Sequence, residues 1–112
     1  MTAGRLTVVG DALLDRDVDG TVERLSPDAP VPVLDERSAR SRPGGAALAA
    51  LLAAGDGHAV TLVTGLGDDA AGRELAGLLA AARVEVVDVG LDGATPEKVR
   101  LRAEDRPLLR LD

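Results

Sequence analysis

Three segments of the sequence share one pattern, in which a short apolar run ends in Gly and Asp or a Gly pair opens a helical run. They are VVGDALLDR at 8–16, RPGGAALAALLAAG at 42–55 and VTLVTGLGDDAAG at 60–72. Glycine lets a backbone approach a small polar ligand closely, and such ligands are oriented by a few well-placed polar groups. The pattern therefore favours a fold that holds carboxylates at strand ends beside closely approaching backbone.

Strand-like and helix-like runs alternate along the chain. Strands are predicted at 5–10, 59–64 and 84–89. Helices are predicted from Gly45 to Ala54 and from a cap at Asp68 or Asp69 to about Ala82. This alternation is typical of a parallel sheet covered by helices, so we predict an α/β fold.

The other segments predict a small accessory sheet. Residues 17–29 are polar and turn-rich apart from a short edge strand at Thr21–Leu25. Residues 31–36 alternate apolar and polar, and the prolines Pro30 and Pro32 confine that strand to a sheet edge. We further predict a basic loop at 38–45 and a hairpin of strands 97–103 and 107–111 that turns at Glu104–Arg106.

Composition limits the partners and chemistries available to the chain. The 112 residues suffice for one domain or part of one, and a net charge of −6 argues against nucleic acid and anionic membrane as partners. The absence of cysteine excludes disulfides and thiolate chemistry, and His58 is the only histidine. Because no apolar run approaches a membrane span and no signal peptide is evident, we expect a cytoplasmic protein.

The core must be built without aromatic side chains, because Phe, Trp and Tyr are all absent. Leu, Val and Ala bury less area each, so the stability per residue should be modest. In the first helix, Leu48, Leu51 and Leu52 share a face that we predict to be core. In the second helix, the stripe of residues 75, 78 and 79 has the same role.

One motif also fits a dinucleotide-binding template. The sequence G-x-G-x-x-A at 65–70 follows a strand and opens a helix, with Glu85 and Asp88 about 20 residues further on. Asp68 and Asp69 weaken this alternative, since they stand where an anionic pyrophosphate would sit. A helix cap on a tight turn is the simpler interpretation.

The three segments, together with TPEKVRLRAEDRPLLRLD at 95–112, resemble in their order the N-terminal part of the ribokinase-like (PfkB) sugar kinases. The closest match is the heptose-7-phosphate kinase branch. The resemblance implies that Asp15, with Asp11 beside it, accepts hydrogen bonds from sugar hydroxyls, and that Gly44 and Gly45 let a helix N-terminus approach the substrate. Leu48 stands where the family has an Asn that reaches a hydroxyl, so one sugar contact should be missing.

The final segment carries alternating basic residues. Lys98, Arg100 and Arg102 fall on one face of an extended strand, because side chains alternate with period two. The resemblance implies that Lys98 and Arg100 bind a phosphate already carried by the substrate, whereas the simpler alternative is an exposed edge protected by charge. Residues 17–38 and 96–112 would form a β lid that closes over the sugar and often pairs two subunits.

The family transfers the γ-phosphoryl group of ATP to a sugar hydroxyl with Mg²⁺. Its Gly-Ala-Gly-Asp segment, which supplies the base, lies beyond Asp112 in the family pattern. We therefore expect a single partial ribokinase-like domain that has no catalytic residue and binds neither ATP nor Mg²⁺ alone. We expect a homodimer through the lid strands, or a complementing chain. A non-catalytic sugar-phosphate-binding or dimerising remnant and a small dinucleotide-binding module are the alternatives.

Overall fold

The computed structural model describes residues 4–112, which form two helices and seven strands. The strands are β1 (Arg5–Val9), β2 (Ala12–Leu25), β3 (Pro32–Gly45), β4 (Ala59–Thr64), β5 (Glu85–Asp88), β6 (Glu97–Ala103) and β7 (Arg106–Leu111). The helices are α1 (Ala46–Gly55) and α2 (Ala70–Ala81). Two compact units result: one comprises the chain up to Asp15 with Arg42–Glu97, and the other comprises Arg16–Ser41 with Lys98–Asp112.

The first unit contains a parallel sheet in the strand order β1-β4-β5. Val8 of β1 pairs with Leu62 of β4, and Leu62 also pairs with Val86 of β5, so β4 is the central strand of the sheet. Helices α1 and α2 each pack against strands of this sheet. The predicted α/β fold with a helix-covered parallel sheet is confirmed.

The core of this unit consists of leucine, valine and alanine, as the composition requires. Its largest fully buried side chains are Leu14, Leu62, Leu75 and Leu79. In α2 the predicted stripe is confirmed, with Leu78 partly buried beside the other two. Neither helix in the described part of the chain is long and apolar enough to cross a membrane.

Helix α1 presents a different face to the core from the one we predict. Ala47 and Ala50 are buried, whereas Leu48 is 41% exposed and Leu52 is 62% exposed. The prediction that Leu48 packs in the core is therefore wrong. The prediction fails because the α1 sequence, AALAALLAAG, has no polar residue to mark a solvent-facing side. The small alanines can therefore face the sheet instead of the leucines.

The second unit contains a four-stranded sheet in the order β3-β2-β6-β7. The predicted short strand at Thr21–Leu25 and the predicted loop at 38–45 are both wrong, because β2 and β3 are each 14 residues long. Polar side chains along these strands resemble a turn in sequence, yet they find partners across the ribbon, as Arg24 does with Asp35 at 3.2 Å. Strand β3 lies at a sheet edge, as its prolines predict.

The predicted hairpin is present as β6 and β7, which pair antiparallel. Its turn is formed by Glu104 and Asp105, whose φ angles are 51° and 65°. Two consecutive positive φ angles give a turn whose twist matches that of the flanking strands. Strand β7 begins at Arg106, one residue earlier than the sequence predicts.

Candidate functional site

The Gly-Asp turn after β1 is held by three neighbouring segments. The Asp11 carbonyl oxygen accepts a hydrogen bond from the Ala46 N–H at 3.0 Å. The Ala12 N–H donates to the Thr64 hydroxyl oxygen at 3.0 Å, and the Leu14 N–H donates to the Pro96 carbonyl oxygen at 2.9 Å. The backbone from Asp11 to Asp15 is therefore fixed by α1, β4 and the loop before β6.

The glycine pair lies directly against this segment. Gly45 has φ 58° and ψ −132°, and a Cβ on it would lie 2.6 Å from the Asp11 carbonyl oxygen. A Cβ on Gly44 would lie 3.4 Å from the nearer carboxylate oxygen of Asp15. The structure thus brings Asp15 beside Gly44 at the start of α1, with the Asp11 backbone against Gly45. Leu48 lies in the first turn of α1 with its side chain partly exposed.

At the N-terminus of α2, Asp69 rather than Asp68 is the cap. Its Oδ1 accepts from the Gly72 N–H at 2.8 Å and from the Thr95 hydroxyl at 2.7 Å, and its Oδ2 accepts from the Thr95 N–H at 2.8 Å. The Thr95 hydroxyl, the Thr95 N–H and the Gly72 N–H lower the pKa of the Asp69 carboxyl. Because the pKa is lowered, this carboxylate stabilises the fold at neutral pH, and that contribution is lost as the pH falls through the folded-state pKa.

These contacts count against the dinucleotide alternative. A pyrophosphate needs the free N–H groups at the start of the helix, and the Asp69 carboxylate occupies that position. Asp88, the candidate ribose ligand, instead accepts from the Leu66 N–H at 2.9 Å and the Gly90 N–H at 2.8 Å, which lower its pKa. Asp88 therefore stabilises the turns on either side of it.

In the second unit, the two arginines of β6 lie close to carboxylates of β2. Arg100 NH1 lies 3.7 Å from Asp17 Oδ1, and Arg102 Nε lies 3.8 Å from Asp19 Oδ1. Lys98 has no carboxylate within 4.0 Å among residues 4–112. The alternation of Asp15, Asp17 and Asp19 along the sequence is the signal from which these pairs could be predicted. The basic row is therefore partly neutralised within its own sheet.

The match to a known family is extensive. The sequence matches the family described as "pfkB family carbohydrate kinase" over residues 3–107. The chain belongs to the pfkB family of carbohydrate kinases. The predicted family and ribokinase-like fold are thus confirmed.

The chain is also similar to curated relatives and to solved structures. The chain is 59% identical over 107 residues to the bifunctional protein HldE of Streptomyces coelicolor, covering 96% of this chain and 23% of the relative. It is 41% identical over 112 residues to the Nitrosococcus oceani HldE, covering 99% and 24%. A carbohydrate kinase from Agrobacterium tumefaciens superposes with a TM-score of 0.77 at 25% identity, over 99% of this chain and 35% of that one. The chain spans about a quarter of the length of these curated relatives.

Members of the pfkB family generally use ATP and Mg²⁺. No group of three His, Asp or Glu side chains able to hold a metal ion occurs within residues 4–112. The helix N-terminus at α2, which could have received phosphate, is filled by Asp69.

Proposed function

We propose that these residues form the sugar-binding part and the lid of a kinase that phosphorylates a sugar or sugar phosphate, such as heptose 7-phosphate. The observation that carries the proposal is the Asp15 carboxylate beside Gly44 at the start of α1. Two carboxylate oxygens can accept hydrogen bonds from adjacent hydroxyls. The missing Cβ of Gly44 leaves space that the Leu13 side chain fills, since a Cβ there would clash with Leu13 Cδ1, so the glycine lets the strand that carries Asp15 pack closely against the start of α1. The relatives named HldE support the heptose branch. The expected cytoplasmic location stays a prediction.

We propose that the lid is the second unit, Arg16–Ser41 with Lys98–Asp112, which overlaps the predicted segments 17–38 and 96–112. Within it, we propose Lys98 as the stronger phosphate contact. Arg100 must first exchange its Asp17 partner for the phosphate, and the Asp17 side chain is only 14% exposed. Lys98 has no such carboxylate to displace.

We further propose that the 112-residue chain alone does not turn over ATP with a sugar, because no described side chain is assigned as the base. A coupled assay for ADP release, with heptose 7-phosphate present and absent, tests this directly. Sugar-dependent ADP release by the purified chain would overturn this part of the proposal.

The sugar contact is tested by titrating heptose 7-phosphate into variants of the chain. Asp15→Ala should lose about 1–3 kcal/mol of binding free energy, since hydroxyls of the sugar lose their acceptor. Leu48→Asn should tighten binding, because it returns a donor and an acceptor to the first turn of α1. Asp56→Ala, which removes an exposed carboxylate from the turn after α1, is the matched control and should bind as the wild type does. Equal affinities in all four proteins would leave Asp15 a structural residue.

We also propose that two copies of the chain pair through the lid. One side of its sheet has a groove lined by apolar residues, which are Val22, Pro32, Leu34, Leu101, Leu108 and Leu109. Leu109 is 60% exposed and lies on β7, an edge strand whose outer backbone can pair with another strand. A second copy would bring a matching apolar face and a matching edge.

Sedimentation velocity over a range of concentrations tests this pairing. Leu109→Lys should weaken self-association by at least about tenfold, because it places a charge in the apolar groove. Leu52→Lys changes a similarly exposed leucine on α1 and should leave the association unchanged. A wild-type chain that stays monomeric at all concentrations and melts in one sharp step would contradict the pairing.

A further inference from the structure

Thr95 is buried in a set of hydrogen bonds that links two loops of the first unit. Its side chain is 3% exposed. Its hydroxyl donates to Asp69 Oδ1 at 2.7 Å and accepts from the Gly67 N–H at 2.9 Å, while its own N–H donates to Asp69 Oδ2 at 2.8 Å. We call these contacts between Asp69, Thr95 and the Gly67 backbone the Asp69–Thr95 clamp. The clamp fixes the loop after β5 against the turn after β4.

The clamp allows almost no change in the spacing of the two loops. A Cβ on Gly67 would lie 2.6 Å from the Gly93 carbonyl oxygen and 2.7 Å from the Thr95 nitrogen. Both distances are shorter than non-bonded carbon contacts allow, so only glycine permits this approach. The loop therefore has one tightly defined position when the clamp is formed.

Capping of α2 does not by itself explain this arrangement. The cap needs one acceptor, and the bond from the Gly72 N–H to Asp69 Oδ1 supplies it. The two bonds to Thr95 add nothing to the helix, yet they require the burial of a threonine hydroxyl. Their effect is on the position of the residue that follows Thr95.

The residue after Thr95 is hydrogen-bonded to the residue that precedes Asp15, the candidate sugar ligand. Pro96 follows Thr95, and its carbonyl oxygen accepts from the Leu14 N–H at 2.9 Å. Leu14 is fully buried, and Asp15 follows it with the side chain on the opposite face of β2, beside Gly44. Displacement of Pro96 would release the Leu14 amide, and with it the backbone that orients the Asp15 carboxylate.

We infer that the Asp69–Thr95 clamp is a positioning device for Asp15. Asp69 and Thr95 are therefore positioning residues, which touch no sugar themselves. The inference about the sugar rests on the proposed function, whereas the inference about the Leu14–Asp15 backbone does not. An experiment can separate the two.

Two variants break the clamp in different ways. Thr95→Val keeps the shape of the side chain and removes the hydroxyl. Asp69→Asn keeps a carbonyl oxygen for the Gly72 N–H, so the helix cap survives, but its amide nitrogen cannot accept from the Thr95 N–H. Thr95→Ser retains the hydroxyl and should behave as the wild type does. Thr61→Val removes a hydroxyl from a partly exposed position on β4 and is the matched control.

The first measurement is amide hydrogen exchange by NMR on the full chain without ligand. Thr95→Val and Asp69→Asn should each speed exchange at Leu14 by about tenfold or more, whereas Leu75 and Leu79 in α2 keep their protection. Thr61→Val should leave Leu14 unchanged. If Leu14 keeps its protection in both clamp variants, the inference is wrong. Should Thr95→Val fail to fold, Asp69→Asn alone decides the question.

The second measurement is the affinity for heptose 7-phosphate. In both clamp variants it should fall by roughly five- to fiftyfold, and Thr95→Ser should restore it to within about threefold of wild type. If the wild-type chain binds no sugar phosphate while Leu14 still loosens in the clamp variants, the clamp is supported and the proposed function fails. If affinity is unchanged while Leu14 loosens, the positioning of Asp15 for sugar is overturned.

Discussion

Replacing Gly45 by alanine should destabilise the first unit by about 2–4 kcal/mol, which is among the largest effects expected of any single substitution in this chain. Two costs add. The φ of 58° with ψ of −132° is a conformation that L side chains rarely adopt, and the new Cβ would lie 2.6 Å from the Asp11 carbonyl oxygen. Relief of that clash requires α1 to move away from the Asp11–Asp15 segment. Urea denaturation followed by circular dichroism measures the loss, and sugar-phosphate affinity should fall with it.

Gly55→Ala is the matched control for this substitution. Gly55 is the last residue of α1, and a Cβ on it would meet nothing within 4 Å. Alanine should therefore be neutral there or stabilise the chain by up to about 1 kcal/mol. If the two variants lost equal stability, the close approach of Gly45 to Asp11 would not be the cause.

The parts of the fold that could be predicted from the sequence are those in which the deciding residues lie close together in the chain. In α2, charged residues such as Arg73 and Glu74 mark the solvent side, so the buried position of Leu75 and Leu79 could be predicted. The hairpin of β6 and β7 could be predicted because the polar pair Glu104 and Asp105 stands between two runs in which apolar and polar residues alternate. In both cases the pattern and the structure depend on residues close together in the chain.

The errors arise where distant partners decide the structure. The polar stretch that begins at Asp17 resembles a turn, but it is extended because β3 and β6 supply partners such as Asp35 and Arg100. Helix α1 has no polar face, so only contact with the sheet reveals that Ala47 and Ala50 lie inside. No local pattern could show these pairings.

The candidate site also contains some residues that local sequence motifs reveal and others that only distant contacts reveal. Asp15, Gly44 and Gly45 stand in recognisable motifs, and the structure places them together in the first unit. Thr95 lies in the loop LDGATP, where nothing in the neighbouring sequence indicates a role, and its partner Asp69 is 26 residues away. The contacts that hold a functional side chain in place are thus harder to predict than the side chain itself.

The second large effect should come from truncation of the core at Leu14. Leu14→Ala should cost about 3–5 kcal/mol, because the side chain is fully buried and its removal leaves a cavity. A domain of this size has only about 5–15 kcal/mol of stability, and this core has no aromatic side chain to compensate. Leu14→Ala should therefore leave a substantial fraction of the chain unfolded at 37 °C, as measured by thermal melting.

The matched variant is Leu48→Ala, which makes the same chemical change on α1. Leu48 is 41% exposed, so its truncation removes less buried area and should cost about 1 kcal/mol or less. The difference between the two variants tests the observed packing of α1 against the face predicted from its periodicity. Equal losses would mean that Leu48 is buried in solution, either in the core of its own chain or beneath another protein surface, and a loss for Leu48→Ala that shrinks on dilution would identify that surface as a second copy.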